Sequence, residues 1–275
     1  MMGFEYKGID SSIYGIICKS VSRPLLPAVR MRTAIINGRS GVYDFGGGDY
    51  ETRQITMHIF YAQSNLYGLR AKSREISAWL SSSTWARLII GDEPDKYYAA
   101  RVVNGVDFKS LLATGEADIT FECQPFAYMA TDTGNDPTWE EADFPWITNI
   151  PWNMVRSYQF TATGTKNFTF DNPGTQEIGC NSPQGSKFNL IVSGNWTTLA
   201  ISLNGKTIEY TEAGSGTLII DNVEMEVKLD GVNKLSKLDG DIDSFLIAIP
   251  GENTIEINGT GLNVNVTIDF TPIWL

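Results

Sequence analysis

The sequence predicts a mainly β protein with two domains, the first combining strands with one helix and the second an antiparallel sandwich or jelly roll. Three observations carry this prediction. Along most of the 275 residues, apolar side chains alternate with polar ones, which is typical of half-buried strands. A single stretch, residues 65–83, follows the helical period instead. Turn dipeptides such as Asn204-Gly205 and Asp230-Gly231 separate short strands in the second half, as they do in sandwiches and jelly rolls.

A hairpin is predicted near the start of the first domain. Residues 31–36 and 41–45 flank Asn37-Gly38, a dipeptide that supplies the positive φ angles of a tight turn. Gly46-Gly47-Gly48 follows as a loop and lacks the Lys-Ser/Thr pair of a phosphate-binding loop. Residues 54–61 then alternate cleanly and predict the next strand.

The predicted helix covers residues 65–83, and Ser64 or Asn65 can cap its start. One face of it repeats at three- and four-residue steps and consists of Leu66, Leu69, Ser73, Ile76 and Leu80. Further strands are predicted at residues 85–90, 97–103 and 117–123. Cys123, on the last of these, is expected to be a small buried hydrophobe.

The second domain is predicted to consist of many short strands. The alternating runs lie at residues 168–170, 188–192, 199–203, 208–210, 218–220, 223–229, 255–257 and 264–270. Strands of this length with frequent turns favour an antiparallel sandwich or jelly roll.

A connector is predicted between the domains. Residues 129–155 hold five acidic side chains and no basic one, together with three prolines and three of the seven tryptophans. Because disordered linkers are poor in aromatic residues, we expect the connector to pack against a domain or a partner. The predicted organisation is therefore a domain at 1–128, a connector at 129–155 and a domain at 156–275.

The charge of the chain is distributed unevenly. The net charge is −11, but residues 1–128 carry 14 basic and 13 acidic side chains, whereas residues 129–275 carry 7 and 19. A nearly neutral first half argues against nucleic-acid binding, which needs a concentrated basic face. No apolar run approaches the roughly 20 residues that span a membrane, and we expect no cleaved secretion signal at the start.

The sequence offers little to catalysis, so we expect no enzyme, no catalytic residue, no cofactor and no metal. His58 is the only histidine, and the three cysteines form no Cys-x-x-Cys pair. Residues 239–243 place three carboxylates at alternate positions, but Ser244 and Pro250 stand where an EF-hand needs glycine and glutamate. Glu140-Glu141 and Asp143 lie in the connector rather than along a cleft.

Sugar binding is the alternative that the aromatic residues leave open. Trp196 and Tyr210 in the second domain could stack on a carbohydrate, although such residues in strand-rich domains more often belong to the core.

The first half of the chain resembles the siphovirus distal tail proteins, the hub components at the end of long non-contractile phage tails. The likeness covers about residues 1–128 and rests on the order and spacing of several pieces. These are Phe4 with Gly8-Ile9 and Gly15-Ile16; Arg32 with Gly38-Arg39-Ser40-Gly41; Tyr50 with Arg53; Trp79-Leu80; Asp92 with Pro94-Asp95-Lys96-Tyr97-Tyr98; and residues 121–128. The second half is similar in architecture more than in motif, and residues 171–175 are its best local likeness.

This resemblance implies an N-terminal β-sandwich or split-barrel-like domain with one α-helix and a protruding hairpin arm, followed by a galectin-like antiparallel β-sandwich. It also implies a hexameric ring that links the tail tube to the tail-tip or baseplate proteins of a virion made in the bacterial cytoplasm. We expect Arg39, Tyr50 and Arg53 to lie at the subunit interface, because arginine and tyrosine are favoured there. A tail module that binds a host-wall carbohydrate or receptor is the alternative function.

Overall fold

The computed structural model describes residues 3–46, 49–103, 108–111, 114–130, 158–180, 182–183, 185–239 and 244–275. It divides into two compact units, residues 1–127 with Leu275 and residues 128–274. The mainly β fold class predicted from the sequence is confirmed. Residues 131–157 lie outside the described part, so the connector with its three tryptophans and five carboxylates stays a prediction.

The described residues of the first unit form strands around one α-helix, α1 (Leu66–Leu80), and one 3₁₀ helix, η1 (Ser11–Tyr14). The strands are β1 (Phe4–Tyr6), β2 (Ile9–Asp10), β3 (Ile17–Ser22), β4 (Thr33–Ala34), β5 (Tyr43–Asp44), β6 (Arg53–Ala62), β7 (Ala86–Ile90), β8 (Glu93–Val102), β9 (Phe108–Leu111) and β10 (Thr114–Met129). Their main sheet has the order β2-β1-β7-β8-β10-β6-β3, and β9 also pairs with β10. β4 and β5 form a separate two-stranded ribbon.

The core of the first unit lies between this sheet and α1. β6 and β10 pair antiparallel over ten residue pairs, from Thr114 opposite Ala62 to Cys123 opposite Arg53. Their inward side chains are buried: Ile55, Met57, Ile59, Tyr61, Ala117, Ile119, Phe121 and Cys123. The helix adds Leu69, Ile76, Trp79 and Leu80 to this core. The prediction that Cys123 is a buried hydrophobe is therefore confirmed.

The helix begins and ends close to its predicted bounds. Asn65 is the N-cap, and its side-chain oxygen accepts a hydrogen bond from the Gly68 N–H at 2.8 Å. The predicted last turn, to Ser83, is wrong: the backbone of Ser81 is already extended, with φ −60° and ψ 120°.

The predicted hairpin forms, and its tight turn at Asn37-Gly38 is closed by a hydrogen bond from the Arg39 N–H to Ile36 O at 3.1 Å. Thr33 pairs with Asp44 and Ala34 with Tyr43, which leaves residues 35–42 as the loop. Of the two turn residues only Gly38 has a positive φ, at 81°, so the turn is not the two-residue type in which both central residues are left-handed. Of the predicted glycine loop, Gly47 and Gly48 lie outside the described residues.

The second unit is an antiparallel β-sandwich. Its described strands are β11 (Tyr158–Ala162), β12 (Lys166–Asn172), β13 (Phe188–Trp196), β14 (Leu199–Leu203), β15 (Lys206–Tyr210), β16 (Gly214–Asp221), β17 (Glu226–Leu229), β18 (Val232–Asn233), β19 (Leu238–Asp239), β20 (Gly251–Asn258), β21 (Asn263–Phe270) and β22 (Ile273–Trp274), with a 3₁₀ helix η2 (Leu235–Lys237). One sheet has the order β11-β21-β13-β16-β17-β18 and the other β12-β20-β14-β15-β19.

Aromatic side chains join the two sheets. Tyr158 of the first sheet meets Phe170 of the second edge to face, with ring centroids 5.7 Å apart. Phe170 in turn lies 5.6 Å from Phe270 of the first sheet. Phe170 and Phe270 are at most 2% exposed, so this cluster closes the core of the sandwich.

The predicted turns of the second unit are present, whereas one predicted strand is too long. Asn204-Gly205 and Asp230-Gly231 both have two positive φ angles, 50° and 83° and then 47° and 81°, as a two-residue hairpin requires. Residues 223–225 are not strand as expected. The Asp221 carboxylate accepts hydrogen bonds from the N–H groups of Val223 and Glu224, each at 2.9 Å, and this turns the chain before β17 begins.

Candidate assembly site

The most exposed apolar part of the described chain is the hairpin that contains β4 and β5. We call residues 24–52 the arm. It carries nine of the sixteen exposed large hydrophobic residues found among the described ranges: Leu25, Leu26, Val29, Met31, Ile35, Ile36, Val42, Tyr43 and Phe45. Leu25 is 95% exposed and Ile35 is 81% exposed. An apolar surface of this extent marks a site of interaction with another molecule.

Backbone hydrogen bonds hold the arm as a ribbon along its length. The Glu51 N–H donates to Ala28 O at 2.7 Å, and the Arg30 N–H donates to Asp49 O at 2.7 Å. Further out, the Phe45 N–H donates to Arg32 O at 2.9 Å. At about 3.3 Å per extended residue, the ribbon reaches roughly 25 Å from Ala28 to Ile36. A two-stranded ribbon alone is marginally stable in water, so the arm needs a surface to cover it.

We call the two ends of the arm, where it joins the first unit, its roots. At the N-terminal root, Arg23 fixes the chain to the main sheet. Its guanidinium donates to the Glu93 carboxylate at 3.1 Å and to the Asp92 carboxylate at 3.2 Å. Both acceptors lie at the turn between β7 and β8. Lys96 forms ion pairs with Glu93 at 3.2 Å and Asp95 at 2.9 Å, so the carboxylates at this turn face cations on two sides.

The C-terminal root of the arm runs into the core through Arg53, which is 5% exposed. Its Nη2 donates to the backbone oxygen of Pro125, and the guanidinium lies over the ring of Tyr98 at 5.5 Å. The Nε has no hydrogen-bond partner among the described residues. Burial lowers the pKa of the Arg53 guanidinium from its usual value, and the nearby Tyr98 opposes this shift. The root is therefore a buried cation held by one carbonyl and one aromatic face.

The three predicted interface residues lie at different distances from the body of the first unit, along the arm and directly after it. Arg39 is exposed at its outer turn. Tyr50 lies near the root, and its ring meets Phe126 edge to face at 5.7 Å. Arg53 is inside the subunit, so it would act on an interface from behind rather than by contact. The structure thus does not bring the three together, and their role at an interface stays a prediction.

Sequence reasoning missed the acceptors of the two root arginines. Asp92 was noted as part of a family pattern, but neither its contact with Arg23 nor the contact of Arg53 with Pro125 was expected. Two signals were available: each arginine stands at the boundary between a strand and the arm, and Arg53 occupies an inward position in the alternation of β6.

The sole histidine lies on the other face of the main sheet. His58 Nδ1 lies 2.7 Å from Asp118 Oδ1, and its Nε2 lies 3.9 Å from Glu116 Oε2. The Lys19 ammonium donates to Glu116 and thereby lowers the pKa of that carboxyl. Across the described ranges, no group of three or more His, Cys, Asp and Glu side chains is placed to hold a metal ion. Of the predicted acidic loop, residues 240–243 lie outside these ranges.

The aromatic pair considered for sugar stacking is not available for it. Trp196 and Tyr210 are 3% and 2% exposed, and they pack against each other with ring centroids 6.0 Å apart. The Trp196 indole donates to Glu212 O at 3.0 Å, and burial raises the pKa of Tyr210 to about 12. The interpretation of both as core residues is confirmed.

A groove lies in each unit. The first, of about 320 Å³, lies between α1 and strands β6, β8 and β10 and has an apolar floor with a serine rim. The second, of about 420 Å³, lies along β14, β15 and β20 and is lined by threonines, Asn258 and Glu209. Its one aromatic lining residue is Tyr210, whose ring is buried, so the groove offers no flat apolar face to a sugar.

The first unit matches a family model, and the fold of the chain is similar to a solved structure. Residues 10–123 match the family model of the phage tail protein RIFT-related domain. The fold of the whole chain is similar to the crystal structure of the Dit protein (gp 19.1) of phage SPP1, with a TM-score of 0.72 and 14% sequence identity over 100% of both chains. That structure is described as a paradigm of the hub adsorption apparatus in phages that infect Gram-positive bacteria. The predicted resemblance to siphovirus distal tail proteins is thus confirmed.

None of the curated proteins matches the chain significantly in sequence. The described helices include none with the length and apolar character needed to cross a bilayer.

Proposed function

We propose that this chain is a hub subunit of a long-tailed phage particle and assembles into a ring, with six copies as the expected number. The single observation that carries the proposal is the arm, on which nine large apolar side chains are exposed. The fold shared with SPP1 Dit and the tail-protein domain at residues 10–123 support it. The ring would join the tail tube to the tail-tip or baseplate proteins of the virion.

The shape of the arm favours contact between copies of the chain. An arm that lies on a different surface of the next subunit makes a heterologous contact, and such contacts close into rings when the rotation between subunits allows it. Burying apolar area is worth about 25 cal/mol per Å². Covering nine large apolar side chains therefore supplies a driving force that a monomer in water lacks.

The charge distribution is consistent with two separate surfaces. The first 128 residues are close to neutral, whereas the remainder carries a strong negative charge. A near-neutral ring domain avoids the self-repulsion that like-charged neighbours would suffer in a closed assembly. For the competing role, binding of a host-wall carbohydrate, the aromatic pair considered in the second unit, Trp196 and Tyr210, is buried.

Native mass spectrometry with negative-stain imaging tests this proposal. The parent chain is expected to form rings, and Ile35→Asp combined with Ile36→Asp is expected to shift it to monomer by placing charges on the arm. Val232→Asp is the matched control, because Val232 is also exposed, at 62%, but lies in the second unit. A parent chain that stays monomeric at every concentration would contradict the proposal, as would rings that form equally well with the charged arm.

A further inference from the structure

We infer that Arg23 and Arg53 form a clamp that fixes the direction in which the arm leaves the first unit. Each arginine stands at one root of the arm and binds a different part of the main sheet. Arg23 binds the carboxylates at the β7–β8 turn, and Arg53 binds the Pro125 carbonyl near the end of β10. The importance of this clamp for ring closure rests on the proposed function, but the clamp itself is a property of one subunit.

The contacts of Arg53 are those of a residue that positions the arm, rather than of a residue that only fills space in the core. A buried guanidinium costs free energy unless it is paired, and Arg53 has no ion pair among the described residues. An apolar side chain of similar length would fill the same space without this cost. What the guanidinium adds is a directional hydrogen bond to Pro125 O and a planar contact with the Tyr98 ring at 5.5 Å.

The contacts at Arg23 constrain the other root. Its two ion pairs, at 3.1 and 3.2 Å, join one fork-shaped cation to two neighbouring carboxylates. The side chains are about one third exposed, so the pair adds little to stability. A planar guanidinium bound through both its Nη1 and its Nη2 atoms nevertheless has a defined orientation. Pro24 follows directly and restricts the backbone of Arg23 to extended conformations, so the chain enters the arm in one direction.

Two contacts beside Arg53 reinforce the C-terminal root. The Thr52 hydroxyl donates to Glu122 at 3.1 Å, and Tyr50 packs edge to face on Phe126. All the acceptors at this root lie on residues 122–126 of β10. The last residues of the arm are therefore fixed to one strand of the body, and the first to a different hairpin. Two attachments to separate elements prevent the ribbon from swinging about either one.

Distance measurement between two spin labels tests the clamp within one subunit. The labels are placed by Asn37→Cys at the arm turn and Ala78→Cys on the exposed face of α1, in a Cys180→Ser background. Labelled chain is diluted with unlabelled chain so that distances between copies do not contribute. The parent is expected to give one narrow distance distribution. Arg53→Met and Arg23→Gln are each expected to give a distribution about twofold wider, because local restraint is lost.

Arg87→Met is the matched control, because Arg87 also lies over a tyrosine ring, that of Tyr97 at 4.7 Å, but stands on β7 away from the arm. It should leave the distribution narrow. Arg53→Lys should restore part of the narrowness, since a lysine amine can still donate to Pro125 O, whereas methionine cannot. A purely structural Arg53 would predict equal widths for the lysine and methionine variants.

The outcomes separate the clamp from the proposed ring. Unchanged distributions in both Arg53→Met and Arg23→Gln, with the far-ultraviolet spectrum intact, would overturn the inference. If Arg53→Met does not fold, Arg23→Gln decides, because its ion pairs lie at the surface. If the parent chain gives a narrow distance distribution, the variants give wider ones and the chain never forms rings, the clamp stands and the proposed function is overturned. If the chain forms rings but the variants leave the distribution as narrow as in the parent, the proposed function stands and the clamp is overturned.

Discussion

Arg53 and Pro125 are 72 positions apart in the chain, yet the guanidinium of the first donates to the backbone oxygen of the second inside the first unit. The contact joins Arg53, the first residue after the arm, to β10, the last strand of the first unit's main sheet in chain order. Because the guanidinium is buried with a single hydrogen-bond acceptor, the two properties of Arg53, its volume and its donor, can be tested separately.

The volume of Arg53 is expected to matter more for stability than its charge. Arg53→Ala leaves a cavity in the core and should lower the free energy of unfolding by about 2–4 kcal/mol. Arg53→Met fills most of the space and removes the cost of burying a cation, so its effect should stay within about 1 kcal/mol. Urea denaturation measures both. Equal losses in the two variants would show that the hydrogen bond, not the packing, carries the stability.

A β-carbon at Gly194 is expected to disrupt the second unit. Gly194 has φ 144°, and an added β-carbon would lie 2.1 Å from the Asn263 oxygen on the paired strand. Gly194→Ala should therefore cost about 3 kcal/mol or more. Gly205→Ala is the control: its φ is 83° and the space around it is open, so only left-handed strain of about 1–2 kcal/mol applies. Thermal unfolding distinguishes the two, and similar melting temperatures would refute the steric argument.

Replacing the Asn253 amide with a carboxylate is expected to destabilise the second unit. It is fully buried, and its nitrogen donates to Ile249 O and Gly251 O, each at 2.8 Å. Asn253→Asp points oxygen at these two carbonyls and should cost about 3 kcal/mol at neutral pH.

Protonation of the introduced carboxyl restores one donor, so the deficit of Asn253→Asp should shrink as the pH falls. The control is Asn233→Asp, because the Asn233 side chain only accepts, from the Leu235 N–H at 2.9 Å. Denaturant titrations at several pH values measure both variants. A deficit that grows in acid would contradict the assignment of the Asn253 amide nitrogen.

The Cys123 thiol is expected to be inert in the native state and to destabilise the protein in alkali. Burial raises the pKa of Cys123 to about 12, from 9.0. A folded pKa above the unfolded value gives stability that is complete below pH 9 and is lost as the pH rises toward 12. Cys123→Ala should remove this part of the alkaline decline.

Reaction with a thiol reagent checks the same environment. Cys180 is partly exposed, whereas Cys18 and Cys123 are buried, so Cys180 should react first and Cys123 only on unfolding. Fast labelling of Cys123 in the native chain would refute its burial.

The local sequence predicted most of the strands and the helix, but not the backbone conformation that each Asn-Gly or Asp-Gly turn adopts. Asn204-Gly205 and Asp230-Gly231 adopt the predicted tight turns because they join strands packed in the sandwich, so the cross-strand register is fixed. Asn37-Gly38 has the same chemistry, but its flanking residues are exposed, and the strand pairing stops short of it at Ala34 and Tyr43. There the dipeptide closes the tip of a longer loop, residues 35–42, with only Gly38 at a positive φ.

The candidate site was predictable only in part. The arm could be placed from its turn and glycine loop, and Arg39 and Tyr50 lie on it. The contact of Arg53 with Pro125 could not be placed, because it depends on the register of β6 against β10, which a single sequence does not fix. The sequence therefore predicts Arg53 only as an interface residue, although it is an inward residue of a strand.

The attachment of the arm at its two roots makes it a replaceable part. Groups of the body hold Arg23 and Arg53, while the described residues between Pro24 and Thr52 add almost nothing to the hydrophobic core of the first unit. An arm of different length or composition could thus be exchanged between these two points without refolding the domain. One scaffold could in this way serve assemblies that differ only in the surface the arm must cover.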